Sequence, residues 1–347
     1  MIVAGGVTMA LGHFSLAFHN AFFLGLLLII VGNGCFKPNV STQVGRLYGA
    51  GDGRRTTAFF IFYCGINLGA FLSPLVCGEL RQEVGYDAGF AAAGFGMLLG
   101  LVIYLAGQKH LPPDREKEKS QATGKRMSFA EQVREHRPRV LAIVAVCVLA
   151  VPFWGVYEQQ GNTIAVYGEK MVNRRIGGWE MPTEFLQSIN PFLIFLLTPL
   201  LNALWAWQRK RNREPAPTTK MALGLFLLGL GYLLLALLTA EEGGRRLSIL
   251  WIVVCMALYT TGELYLSPIG LTFVSAESPP SMTSLLMGCW FLSSFFGNYT
   301  AGWLGSFYPY LSHRGFFFML TLIAGTAGVV MFVVGRLAVR MLPAAVR

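Results

Sequence analysis

Charge is scarce in this sequence. Of its 347 residues only 13% are Asp, Glu, Lys or Arg, while 54% are hydrophobic. Soluble domains carry roughly 25% charged residues, so that class is excluded. Strict alternation of apolar and polar positions is also missing, which excludes a membrane barrel. There are six cysteines, Cys35, Cys64, Cys77, Cys147, Cys255 and Cys289, without a C-x-x-C pair. All lie inside apolar runs and read as small buried hydrophobes, not as a disulfide framework or thiolate metal site. Gly32-Asn33-Gly34 precedes Lys37 but lacks the G-K-[ST] ending of a phosphate loop and follows no strand. The five histidines are scattered, His13 reads as a helix-packing residue, and no Ser/His/Asp set is apparent. No charged start followed by a short core and an A-x-A site is present, so the first span is expected to act as the insertion signal.

What is present is length in the apolar runs. Crossing the hydrocarbon core as a helix takes about 20 mostly apolar residues. Ten runs meet that measure, at about 1–18, 20–46, 56–78, 89–108, 140–160, 184–207, 221–239, 247–273, 284–306 and 315–335. Between the fourth and fifth, 109–138 is polar, carries Pro112-Pro113 and Gly124, and mixes charges over Asp114–Lys119. It reads as a cytoplasmic linker, with a short amphipathic helix predicted at 128–137. The predicted organisation is an incomplete N-terminal bundle over 1–108, the linker, and a six-helix bundle over 139–347. Two six-helix halves around a midplane site are common in transporters, so four plus six points to two helices absent from the front.

Basic residues fall unevenly. The loops 46–55, 109–139, 208–220 and 274–283 with the tail after 335 hold twenty Lys and Arg; the alternate loops hold seven. By the positive-inside rule the first set, and the N-terminus with it, faces the cytoplasm. The net charge of +10 is then a solvated face beside anionic lipid and needs no nucleic acid.

Three charges remain well inside spans: Lys37, Glu158 and Glu263. Such a charge is costly unless paired or facing water, and it marks a transport path or proton relay. Around them run polar stripes at helical spacing: Asn33, Lys37 and Ser41; Tyr63 and Asn67; Glu158 and Asn162; Glu263 and Ser267; Trp290, Ser294 and Asn298. One stripe alone is ordinary interhelical glue. Five on five spans fit a shared polar cavity. There Lys37 can take a carboxylate, Glu263 an ammonium group and Glu158 a proton, with Tyr63 and Trp290 as apolar walls. The expected cargo is a small zwitterion moved with protons, with amino acids, peptides and drugs all still open.

Motifs narrow this. Gly34-Cys35-Phe36-Lys37-Pro38-Asn39-Val40-Ser41 is followed by Val44-Gly45-x-Leu47-Tyr48, then by Asp52-x-Arg54-Arg55. Next come Phe62-Tyr63-x-x-Ile66-Asn67-Leu68-Gly69-Ala70, Phe153-Trp154 with Glu158-Gln159-Gln160-Gly161, and Gln187-x-x-Asn190-Pro191. Glu263-Leu264-x-x-Ser267-Pro268-x-Gly270-Leu271 and Met287-Gly288-x-Trp290-Phe291-Leu292 complete the series. In this order they closely resemble the proton-dependent oligopeptide transporter family. The resemblance implies an all-α, polytopic, major-facilitator-type bundle and proton-driven symport of di- and tripeptides across the cell membrane by alternating access. It implies that Lys37 couples protons near the peptide carboxylate and that Glu263 receives the peptide amino terminus. It also implies that Glu158 protonates and gates, and that Asn67, Asn190, Trp290 and Ser294 line the pocket. The family's first-helix motif, E-x-x-E-R-x-x-Y-Y, has no match here, so the resemblance makes the first span the family's third helix and leaves Lys37 without those charge partners. Beyond the coupling proton no cofactor or metal is expected; the expected partners are a small peptide and membrane lipid. The alternatives are a short membrane protein that binds a substrate or partner without coupled transport, and an integral membrane enzyme, which lacks a nucleophile or metal constellation.

Overall fold

The computed structural model describes residues 1–46, 54–111, 129–239, 246–279 and 282–340. The motif residues Leu47, Tyr48 and Asp52 and most of the predicted linker lie outside these, as do the side chains of Pro38 and Ser41. Helices dominate, in the order α1 (Ile2–Leu16), α2 (Phe22–Arg46), α3 (Arg54–Glu83), α4 (Tyr86–Gly107), α5 (Phe129–Glu135), α6 (Arg137–Tyr157) and α7 (Thr163–Met171). They continue with α8 (Phe185–Lys210), α9 (Pro217–Leu238), α10 (Ile249–Glu277), α11 (Thr283–Gly305) and α12 (His313–Arg340). Each predicted span has its helix. Among the described residues eight helical stretches are long and apolar enough to cross a membrane. The other two spans correspond to α1, which is short at 15 residues, and α11, whose Ser284, Ser293, Ser294, Asn298 and Thr300 dilute its hydropathy.

Large apolar side chains point outward along these helices. Phe23 is 83% exposed, Ile30 69% and Phe291 63%. A soluble protein would hide them, and in lipid this outward apolar face is the stable arrangement. The chain is a multi-pass membrane protein.

Two compact units are present. The first comprises 1–122 with 181–191, the second 123–180 with 192–347. In the first, α1 runs against α2 and α4. Glycine permits the closest approach: a Cβ on Gly5 would sit 2.7 Å from the carbonyl oxygen of Gly32. Small residues at such crossings let dispersion and backbone contact hold helices together where lipid supplies no hydrophobic drive. The start of α8 is tied to α3 by Ser188, whose hydroxyl donates to the Phe71 carbonyl at 2.7 Å, and by the ion pair of Arg81 with Glu184.

In the second unit α9 packs on α10 and α12, and α6 on α11 and α12. Its interior is aromatic: Tyr232 stacks on Tyr259 with centroids 4.5 Å apart, and Phe316 and Phe317 are fully buried. The Tyr232 hydroxyl is satisfied by donating to the Val156 carbonyl at 3.0 Å, as a buried polar group requires. Two minimal strand pairs follow α7: β1 (Val172–Asn173) lies parallel to β4 (Leu247–Ser248). β2 (Arg175–Ile176) pairs antiparallel with β3 (Trp179–Glu180). Their turn contains Gly177 and Gly178, both at positive φ, where a side chain would be strained.

The turn from α8 to α9 is built by charge. Asn212 adopts φ 51°, a left-handed conformation that Asn tolerates, and Pro217 opens α9. Glu214 then accepts from Arg209 Nε at 2.8 Å and from Lys220 Nζ at 2.6 Å. The Arg209 hydrogen bond, then that of Lys220, holds the Glu214 carboxyl down at about 2.

Candidate functional site

The expected site residues divide between the units. In the first unit Lys37 lies on the exposed face of α2 with Asn33, as their spacing predicts. Tyr63 is 48% exposed while Asn67 is buried. The Asn67 amide donates to the Tyr63 carbonyl at 2.9 Å, so this polar pair is one turn of α3, fixed along its own helix. Asn190 is half-buried near the start of α8, two residues after Ser188, whose hydroxyl donates to the Phe71 carbonyl.

The second unit holds Glu158, Glu263, Trp290 and Ser294. Glu263, half-buried on α10, accepts a hydrogen bond from the Tyr157 hydroxyl at 2.5 Å. Glu158 is the next residue along, also half-buried, and lies within electrostatic reach of Glu263. The two carboxylates that sequence spacing singled out are therefore brought into one neighbourhood with a phenol beside them. Two turns beyond Glu263, Gly270 receives the ring of Trp290. A Cβ there would fall 2.1 Å from Trp290 Cη2, so only glycine leaves room for the indole, which is 3% exposed. One turn further along α11 the Ser294 carbonyl accepts from the Asn298 amide at 2.9 Å, and the predicted stripe holds.

One stripe does not. Glu158 and Asn162 were expected on one helix face, but α6 ends at Tyr157. Glu158–Gln160 form a tighter 3-10 turn, and Asn162 becomes the N-cap position of α7. The break is stabilised by glutamines turned inward. Gln159 donates to the carbonyls of Gly155 at 3.2 Å and Ala301 at 2.7 Å, and Gln160 donates to that of Tyr157 at 3.3 Å. Asn162 instead packs on the end of α11, its Nδ2 lying 2.3 Å from where a Cβ of Gly305 would be.

Tyr157 itself was missed. It sits beside a residue already chosen, but its role depends on a partner 106 positions away. The Arg81–Glu184 pair escaped for the same reason, both residues reading as ordinary span-end charges.

Membrane-spanning helices in two units, with ionisable groups in one apolar interior, define a transporter-type helical membrane protein. The POT family model matches residues 1–125 and 114–315, and the chain belongs to that family. It is 31% identical to the uncharacterized transporter YclF of Bacillus subtilis, over 84% of this chain and 69% of the relative. It is 30% identical to the peptide transporter YePEPT of Yersinia enterocolitica, over 87% and 72%, and 29% identical to a di-/tripeptide transporter of Lactococcus lactis, over 96% and 80%. Among solved structures, a mutant of a peptide transporter POT in complex with alafosfalin superposes with TM-score 0.85 at 30% identity, covering 98% of this chain and 80% of that one. A POT family transporter in complex with 5-aminolevulinic acid gives TM-score 0.84 at 26% identity, covering 97% and 81%. The fold is thus that of the major facilitator type which the motifs implied.

Proposed function

We propose that the chain carries di- and tripeptides across the cell membrane together with protons, by alternating access, and acts as a carrier and not as an enzyme. The observation that supports this most is the Glu263 carboxylate held by Tyr157, close to Glu158, in a chain whose relatives bear the names of peptide transporters. A carboxylate kept in an apolar interior suits an ammonium group, since a desolvated ion pair is far stronger than one in water. Glu263 receives the peptide amino terminus. Lys37 meets the carboxyl end and, with Glu158 and Glu263, couples transport to protons and gates the path. Tyr63, Asn67, Asn190, Trp290 and Ser294 line the pocket. The N-terminus and central linker face the cytoplasm, in keeping with the excess of Lys and Arg in that set of loops. The proton is the coupling ion, and lipid is the solvent of the outward apolar face.

Calorimetric binding of dialanine to the purified chain tests the reading. Binding is expected for the native chain and is lost in Glu263→Ala, because the ammonium group loses its partner. Equal affinity in both proteins sinks the assignment.

A further inference from the structure

Tyr157 is held from several sides before it reaches Glu263. Its ring stacks on Phe153 at 5.4 Å and 15° and meets Trp154 edge-on at 5.7 Å and 90°. It is only 8% exposed. It closes α6, and the carbonyls at this helix end are capped by interior side chains: Val156 by Tyr232 and Tyr157 by Gln160. Pro152 lies five residues earlier inside the helix. Backbone and ring are thus both clamped, and the hydroxyl emerges at a set point with its proton directed at Glu263 Oε2, 2.5 Å away. On the other side α10 is pinned against α9, where a Cβ on Gly262 would lie 2.6 Å from the Gly224 carbonyl oxygen.

A phenol so fixed does more than satisfy a carboxylate. A hydrogen bond to a charged acceptor is about twice as strong as a neutral one and is directional. Glu263 has several rotatable bonds, and each contact it makes narrows the rotamers open to it. Anchoring one oxygen removes that freedom before a ligand arrives, and pre-organisation of this kind enters affinity directly. We propose that Tyr157 is a positioning residue: its hydroxyl orients the Glu263 carboxylate for a ligand ammonium group and thereby sets the preference for ligands with a free amino terminus. This deepens the peptide reading above and rests on it.

The test compares dialanine with N-propionyl-alanine, which keeps the amide and carboxylate and lacks the amine. Both are titrated against the full chain and its Tyr157→Phe variant, which retains the ring and its stacking. Dialanine affinity is expected to fall roughly tenfold in the variant, the scale of a hydrogen bond to a charged group, while N-propionyl-alanine affinity stays within twofold. Incorporation of 4-aminophenylalanine at 157, which restores a donor on the same ring, recovers most of the loss and keeps the test open should Tyr157→Phe fold poorly. Unchanged dialanine affinity in Tyr157→Phe overturns the proposal, and so does an equal loss for both ligands, which signals general damage. A native chain that binds no dialanine refutes the peptide reading, and this proposal falls with it. Native binding without a Tyr157 effect refutes this proposal alone.

Discussion

Replacing Gly270 by alanine places a methyl group where the indole of Trp290 now lies. The added Cβ would stand 2.1 Å from Cη2, 2.6 Å from Cζ2 and 2.7 Å from Cζ3. Ordinary carbon contact starts near 3.4 Å, so the ring has to retreat by about 1.3 Å. Trp290 is buried and has little space to retreat into, and overpacking of this kind costs about 1–3 kcal/mol. Alanine also returns up to about 1 kcal/mol of helix propensity, which would mask part of the loss. The proper control is therefore Gly288→Ala on α11, where the new Cβ meets nothing within 4 Å and the same propensity gain applies. Thermal unfolding of the purified variants in one detergent is expected to place Gly270→Ala below Gly288→Ala by the full overpacking term. Adding Trp290→Phe removes the ring atoms that collide and is expected to return much of the stability lost in Gly270→Ala. Equal melting temperatures for the two alanine variants would refute the reasoning.

Other expectations follow from the charged contacts. With its carboxyl held at about 2 by Arg209 and Lys220, Glu214 contributes stability that is fully present above the ordinary carboxylate range. That contribution drains away as pH falls from roughly 4.5 toward 2; between pH 7 and 3 the native chain is expected to lose more stability than Glu214→Gln, and parallel pH profiles would contradict this. Arg81 and Glu184 have side chains 20% and 31% exposed, so charge reversal at either one is expected to cost about 1–3 kcal/mol, between exposed and buried pairs. The double swap, Arg81→Glu with Glu184→Arg, is expected to recover most of it, and additive losses would show that the pair is not coupled.

Much of this architecture is written plainly in the chain. A span announces itself by uninterrupted apolar length, a property each segment carries alone; hence α1 to α4, α6 and α8 to α12 fall where the ten runs lie, and α5 falls inside the predicted amphipathic stretch, whereas the nine-residue α7 (Thr163–Met171) lies in a stretch read as loop, being too short to show as a span. Glu263 and Trp290 were reachable because an intramembrane charge and a helical stripe are local signals. The break after Tyr157 was not, because Gln159 and Gln160 read as two more helical residues until the carbonyls they satisfy are known. Tyr157 was equally hidden: next to Phe153 and Trp154 it reads as an aromatic packing residue, and only the fold brings Glu263 to its hydroxyl. Contacts between positions far apart in sequence are set by packing, which single-residue chemistry does not encode.

Lys37 carries the proposed link between peptide and proton, and its substitution tests the central claim most directly. In proteoliposomes with an acidic exterior, the native chain is expected to accumulate labelled dialanine above its external concentration, and a protonophore is expected to abolish the accumulation. Lys37→Ala is expected to exchange dialanine across the membrane without accumulating it. Accumulation by Lys37→Ala equal to that of the native chain, or native uptake indifferent to the proton gradient, would contradict the account.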